Sequence, residues 1–309
     1  MSTPEIHPTL ASSPAAERTL GDAAAAQHGR QTERSRAWRR FRRYRPGLAG
    51  LTIVVGLVLV AIFAGSLAPA PPNKIQTRLR GDGPTREHIL GNDDRGRDIL
   101  SRLIHGTRIA LVVGVGATAI ALAIGVTIGA SAGYFGGKTD FVLSRVIDTL
   151  MAFPTLALLI TLSAVLGPSL LNVIVAIGTT VWASYARIVR ADILSLRERD
   201  YVLAARSIGA GSARIIVRHM LPNVLGPVIV LASLGIGSII ILESALSFLG
   251  LGIQPPDPSW GGMLSDGRAY LRNSPHIAIA PGVAIMITVL AFNLMGDGLR
   301  DALDPRPRG

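Results

Sequence analysis

Two short patterns and one carboxylate in this 309-residue chain have the residue types and spacing to do chemistry. Gly129-Ala130-Ser131-Ala132-Gly133 fits G-x-S-x-G, which activates its serine only on a strand, sharp turn and helix. Gly114-Val115-Gly116-Ala117-Thr118-Ala119 is a weakened dinucleotide-binding glycine pattern, which also needs a strand in front of it. Both lie within one long uncharged run that reads as helix. None of the six histidines falls inside such a run, so Ser131 has no evident base. Gly125, Gly129 and Gly133, four residues apart, better describe a flat face for helix-helix contact. Glu243 is the one acidic residue inside an apolar run, where an ionisable group is costly without a cavity or a partner. It has two readings, a gate residue on a pathway or a local cap near a helix end within reach of interfacial water. The chain has no cysteine, and its only lysines are Lys74 and Lys138, outside any G-x-x-x-x-G-K-[ST] loop. Thiolate chemistry and nucleotide hydrolysis are therefore not expected, and no catalytic residue, cofactor or metal site is assigned.

The elements that must position these residues follow from composition. Hydrophobic residues make up 49%, charged residues 17% and aromatics 5%, and the mean hydropathy is +0.43. That combination describes an all-α integral membrane protein. A helix needs about 20 apolar residues to cross the hydrocarbon core. Six runs qualify, 47–68, 109–133, 149–167, 168–186, 224–247 and 277–296. Pro154 should kink the third by removing a backbone hydrogen bond. With Asp148 just before it, Pro154 joins Glu243 as a candidate gate or pathway position.

The net charge of +11 is not spread as a nucleic-acid-binding surface would be. Eight arginines crowd positions 30–45, directly before the first run, as in a cytoplasmic flank. Seven more lie in 187–223, with three acidic residues. The 69–108 segment is placed outside although 70–108 holds eight basic residues, with Asp82, Glu87, Asp93, Asp94 and Asp98 beside them. About 45 polar residues precede the first run, so it reads as a retained span and not as a signal peptide. The expected organisation is a basic tail over 1–46, its first 35 residues disordered, and a transmembrane domain over 47–309. External segments are expected at 69–108 and 248–276, and a cytoplasmic loop at 187–223. Within 250–274, proline and glycine dominate 254–262, and Pro255, Pro256, Trp260 and Gly261 are expected to build a non-helical outer cap.

The loop 187–223 carries the most information. Asp200 to Ala210 reads as a short helix broken at Gly209 and Gly211, followed by a second helix stopped before Pro222. Small Ala204 and Ala205 on its surface would let another protein approach closely.

The spacing Ala204-Ala205, three residues, Gly209, nine residues, His219-Met220-Leu221-Pro222 resembles the EAA loop of ABC importer permeases, E-A-A-x3-G-x9-I-x-L-P. Leu203 stands at the glutamate position and His219 at the isoleucine position. Leu90 to Leu103, with Gly91-Asn92-Asp93-Asp94-Arg95-Gly96-Arg97-Asp98 at its centre, is similar to the segment before the second span in the peptide-type branch. So is Glu243-Ser244-Ala245-Leu246-Ser247-Phe248-Leu249-Gly250-Leu251-Gly252 with its Pro-Pro-x-Pro-x-Trp-Gly loop. The resemblance covers the chain from about Arg45 onward and is to the C-type second permease of dipeptide, oligopeptide and nickel importers. It implies a pathway shared with a homologous permease, two cytoplasmic ATPases docked at Ala204, Ala205, Arg206, Gly209, Ala210, Gly211, Leu221 and Pro222, and an extracytoplasmic substrate-binding protein. It also implies a multi-pass inner-membrane subunit in lipid, both termini cytoplasmic, with no nucleic-acid partner and no catalysis of its own. A peptide is the leading substrate, with nickel chelates and glutathione as alternatives. An ion-coupled secondary transporter is the rival from another class, and an intramembrane enzyme built on Ser131 a second.

Overall fold

The computed structural model describes residues 38–303, and the expected disorder of residues 1–35 lies outside them. Helices form nearly all of the regular structure, and among the described residues the only β pairing is the bridge between Asn92 and Asp98. In chain order they are α1 (Arg45–Ile62), α2 (Ala64–Leu67), α3 (Ile99–Phe135), α4 (Gly137–Ala152), α5 (Thr155–Leu166), α6 (Leu170–Arg197), α7 (Asp200–Ser207), α8 (Ser212–Phe248), α9 (Trp260–Gly267) and α10 (His276–Leu303). Five of them, α1, α3, α6, α8 and α10, are long and apolar enough to cross a membrane, and α4 with α5 makes a sixth if the bent pair counts as one.

Small residues set how the helices meet. The expected glycine face of α3 lies against α6: a Cβ on Gly125 would meet the Trp182 carbonyl at 2.9 Å, and one on Gly133 the Arg190 carbonyl at 2.8 Å. Gly178 of α6 answers it from the other side, against Ala117 and Ile120. Gly47 and Gly50 bring α1 onto Ala291, Leu294 and Gly298 of α10 in the same way. In lipid, where no hydrophobic drive separates helix from solvent, such close backbone approach supplies the association energy. Ser131 sits in this α3–α6 region as an ordinary helical residue whose hydroxyl donates to the Thr127 carbonyl at 2.7 Å, and Gly114 packs against Ile236 and Ile240.

Several boundaries differ from the sequence reading. α3 starts at Ile99, not near 109, because the Asp98 side chain caps it by accepting from the Ser101 N–H at 2.7 Å. The third run is not one kinked helix from 149. α4 ends at Ala152, Phe153 is extended (φ −82°, ψ 139°) ahead of Pro154, and α5 leaves at 90°. A residue before proline is pushed out of the helical region, so the break falls there. At 1.5 Å per residue α5 rises only about 18 Å, too short to cross the core alone. The second helix of the 187–223 loop does not stop before Pro222 but runs from Ser212 into the span. Ile215–Met220 is a π-helical turn, and this widening ahead of Pro222 accommodates a ring that has no N–H to return to the preceding turn.

Ion pairs that sequence reading missed fasten α4 along α6. Arg190 donates to both carboxylate oxygens of Asp140 (2.5 and 2.7 Å), and Arg187 reaches Asp148 at 2.7 Å. Asp148, a candidate gate residue, is thus an exposed partner of α6, and Pro154 marks the bend.

Candidate functional site: an exposed helix-glycine elbow

At the end of the bundle formed by Phe135, Arg197 and the start of α8, α7 packs as a separate short helix. Val202 and Ala205 turn inward onto Tyr134, Ile193, Ile215 and Met220. Ala205 is 6% exposed, so of the two alanines expected on the surface only Ala204 is there. The Arg206 guanidinium lies 5.4 Å above the Tyr134 ring, holding α7 to the end of α3.

The spacing from Ala205 to Gly209 has a backbone cause. Gly209 has φ +79°, a left-handed conformation that any side chain would strain. Its N–H bonds to the Arg206 carbonyl at 3.0 Å, and the Ala210 N–H bonds to the Ala205 carbonyl at 3.1 Å. These two bonds form the Schellman ending, in which a left-handed glycine follows the helix and the outer bond returns to the carbonyl four residues before that glycine. The turn leaves Ile208 85% exposed at its tip, with Leu203 and Tyr201 also outward on α7. Open space surrounds Gly209 and Gly211. A cleft beside the elbow is lined by Tyr134, Phe135, Arg197, Glu198, Leu203, Arg206, Ala210 and Ser212. Leu203, at the position where the EAA pattern has glutamate, faces this cleft. Leu221 packs on the core beneath, and Pro222, the next residue, is exposed. His219 offers its carbonyl to the Asn223 side chain at 2.6 Å, and that amide also reaches the Tyr201 hydroxyl at 3.4 Å. The arrangement can present a small apolar knob to a groove. No titratable side chain in it is placed against a second one as a nucleophile would be against its base.

The opposite end carries the second sequence signature. Gly91 and Gly96 both take positive φ, and a Cβ on Gly96 would collide with the Gln76 carbonyl. Between them Asp93 accepts from the backbone N–H groups of Arg95 and Arg97, both at 2.9 Å, and from the Arg97 guanidinium at 2.6 Å. Arg97 also reaches Asp94 and Asp266, each at 3.4 Å, and so joins this segment to α9. Burial first, then the neighbouring carboxylates of Asp93 and Asp266, hold the Asp94 carboxyl above the usual carboxylate range. His88 is 2.8 Å from Asp98.

The loop after α8 is not the non-helical protrusion expected of it. Pro255 and Pro256 are exposed, but Trp260 opens α9, capped by the Ser259 hydroxyl, and is only 2% exposed. Its indole N–H donates to the Leu103 carbonyl at 3.1 Å, and its ring fills the space left by Gly106. Gly261 is pressed against the Ser244 backbone, where a Cβ would not fit.

Glu243 is 1% exposed, five residues before the end of α8. Ser247 donates to one carboxylate oxygen at 2.7 Å and Ser244 reaches the other at 3.4 Å. The Ser247 hydroxyl in turn accepts from the Ile253 N–H at 3.3 Å, so the carboxylate anchors the chain as it leaves α8. No cation pairs with it among the described residues.

Residues 125–309 match the family described as binding-protein-dependent transport system inner membrane component, and residues 33–84 match the N-terminal TM domain of oligopeptide transport permease C. Over 270 residues the chain is 44% identical to the dipeptide transport system permease protein DppC of Alkalihalophilus pseudofirmus, covering 87% of this chain and 89% of that one. Over 273 residues it is 45% identical to the glutathione transport system permease protein GsiD of Escherichia coli, covering 88% and 90%. The Pectobacterium atrosepticum GsiD is 43% identical over 270 residues, covering 87% and 90%. With its apolar helices, its elbow and matches that together run over most of its length, the chain belongs to the multi-pass inner-membrane permeases of ABC importers, in the peptide and nickel family.

Proposed function

We propose that this subunit pairs with a homologous permease to carry di- or oligopeptides across the cytoplasmic membrane. Two cytoplasmic ATPases dock at the elbow of Ala204, Arg206, Gly209, Ala210 and Gly211, and a binding protein delivers substrate from outside. Both termini and the 187–223 loop lie in the cytoplasm, and hydrolysis belongs to the ATPases. The observation that carries this reading is the elbow itself, which holds an isoleucine 85% exposed at a turn closed by two backbone hydrogen bonds. An exposed apolar tip on a well-ordered turn fits a partner's groove. Closure of the ATPases would move α7, and the core of Val202, Ala205, Ile215 and Met220 would transmit that motion to α8 as a rigid body. The 44% identity to a dipeptide permease supports peptide as substrate, and the equal likeness to glutathione permeases adds a γ-linked tripeptide to the candidates.

The test is uptake in proteoliposomes holding the full complex, with labelled dialanine and glutathione, with and without ATP, at a collapsed ion gradient. ATP-dependent uptake is expected. Ile208→Asp, at a position without folding contacts to lose, should keep membrane insertion while weakening ATPase association about 10- to 100-fold, the equivalent of losing one buried isoleucine. Uptake driven by an ion gradient without ATP, or full ATPase association by Ile208→Asp, would refute the assignment.

A further inference from the structure

Hydroxyls in the apolar helices of this protein follow one habit. Thr118, Thr127, Ser131, Thr179, Thr180 and Ser233 each donate to the carbonyl four residues earlier, at 2.6–2.9 Å, and so hide their polarity. Among those that depart from it, three line one cleft between α5, α6 and α8. Thr155 and Ser184 make no side-chain hydrogen bond, and Ser238 reaches the Leu234 carbonyl at only 3.4 Å. All three are exposed. Ser163 and Thr288 are also unbonded, but they are buried and neither lines the cleft. The rest of the lining is apolar with Tyr185, whose hydroxyl occupies the space left by Gly235, and no charged residue contributes.

Depth makes the three comparable. The outer ends of α5, α6 and α8 lie together, because only residues 167–169 join α5 to α6, and Val173 of α6 shares one core with Leu246 and Ile253 at the end of α8. Counting 1.5 Å per residue from those ends places Thr155, Ser238 and Ser184 about 16, 15 and 21 Å down their helices, near the middle of a core about 30 Å thick. An unpaired hydroxyl facing lipid at that depth would carry an uncompensated desolvation cost. Each hydroxyl both donates and accepts, so it matches either side of a peptide amide, and without charge it is indifferent to the side chains that amide carries.

We propose, building on the importer reading above, that this mid-membrane cleft is this subunit's contact site for the backbone of a peptide in transit, with Ser184 and Ser238 as the amide-binding groups. The cleft passes peptides by their common backbone and leaves side-chain selection to other surfaces.

The chain has no cysteine, so single cysteines report cleanly. Ser184→Cys, Ser238→Cys and, as a control exposed on α10 and outside the cleft, Leu290→Cys would be placed in the full complex in proteoliposomes. The probe is Ala-Cys-Ala activated as its thionitrobenzoate disulfide, delivered by the binding protein with ATP, and adducts are read by intact mass. Adducts at 184 and 238 that require ATP and fall with excess trialanine, and none at 290, are expected. The double variant Ser184→Val, Ser238→Val should lower trialanine uptake about tenfold at unchanged membrane level, the equivalent of about one net hydrogen bond. If trialanine uptake is intact but 184 and 238 label no more than 290, or form disulfides only with the partner permease, the cleft assignment falls and the importer reading stands. If the parent complex takes up no peptide, the importer reading falls and takes the cleft with it.

Discussion

Replacing Glu243 separates two roles for a buried carboxylate. In the structure it accepts from Ser247 and Ser244, and through Ser247 it fixes the Ile253 N–H, so it holds the chain where α8 ends. Glu243→Gln keeps an oxygen acceptor for Ser247 and removes the charge. Glu243→Leu keeps the volume and removes both acceptors. In the leucine variant each serine can turn back to the carbonyl four residues earlier, as Ser233 does, so part of the loss is recovered. What remains is the Ser247–Ile253 link and the poorer geometry, about 1–3 kcal/mol, the range for removing one partner of a buried hydrogen bond. The glutamine variant should stay within about 1 kcal/mol of the parent, because a neutral acceptor replaces a carboxylate that has no cation beside it. Unfolding in detergent followed by tryptophan fluorescence reads stability, and ATP-driven peptide uptake at matched membrane levels reads function. The anchoring role requires glutamine to behave as the parent in both and leucine to fail first in stability. A glutamine variant of parental stability that no longer transports would refute it and show that the charge itself works in the gate. A leucine variant as stable as the parent would refute the hydrogen-bond reasoning outright.

Trp260→Ala should cost about 3–5 kcal/mol, the range for truncating a buried aromatic, whereas Trp260→Phe should cost about 1 kcal/mol because Thr107 already donates to the Leu103 carbonyl; thermal unfolding in detergent measures both. Asp94 has a folded-state pKa above its unfolded value, so its contribution to stability is present below the unfolded pKa and is lost as pH rises through the folded one. Asp94→Asn should therefore be more stable than the parent at neutral pH, with the gap closing below about pH 4, and urea midpoints across that range check it. Asp140→Asn should loosen α4 from α6, and a double-mutant cycle with Arg190→Gln should return a coupling of about 1 kcal/mol or less, since both side chains are partly exposed; hydrogen exchange across 137–152 would show the loosening directly.

The helical membrane architecture was determined by the sequence alone, because crossing about 30 Å of hydrocarbon leaves a chain little choice but runs of about 20 apolar residues. The glycine face of α3 was legible for the same reason: residues four apart fall on one side of any helix, wherever it packs. So was the elbow, since the spacing from Ala205 to Gly209 is a local hydrogen-bonding rule written into the backbone. What lay beyond the sequence were features that depend on distant partners. That Ala205 faces in and Ala204 out was decided by Tyr134, Ile193 and Ile215 arriving from three other helices. Trp260, read as part of a protrusion, turned inward because Gly106, more than 150 positions earlier, leaves its ring a place. The break at Pro154 was predictable, but its 90° angle was not, because the Asp140–Arg190 and Asp148–Arg187 pairs hold α4 along α6. Glu243 and the hydroxyls of Thr155, Ser184 and Ser238 differ in the same way: each is a polar atom in an apolar run, and only the folded chain decides which of them meets a serine and which is left facing open space.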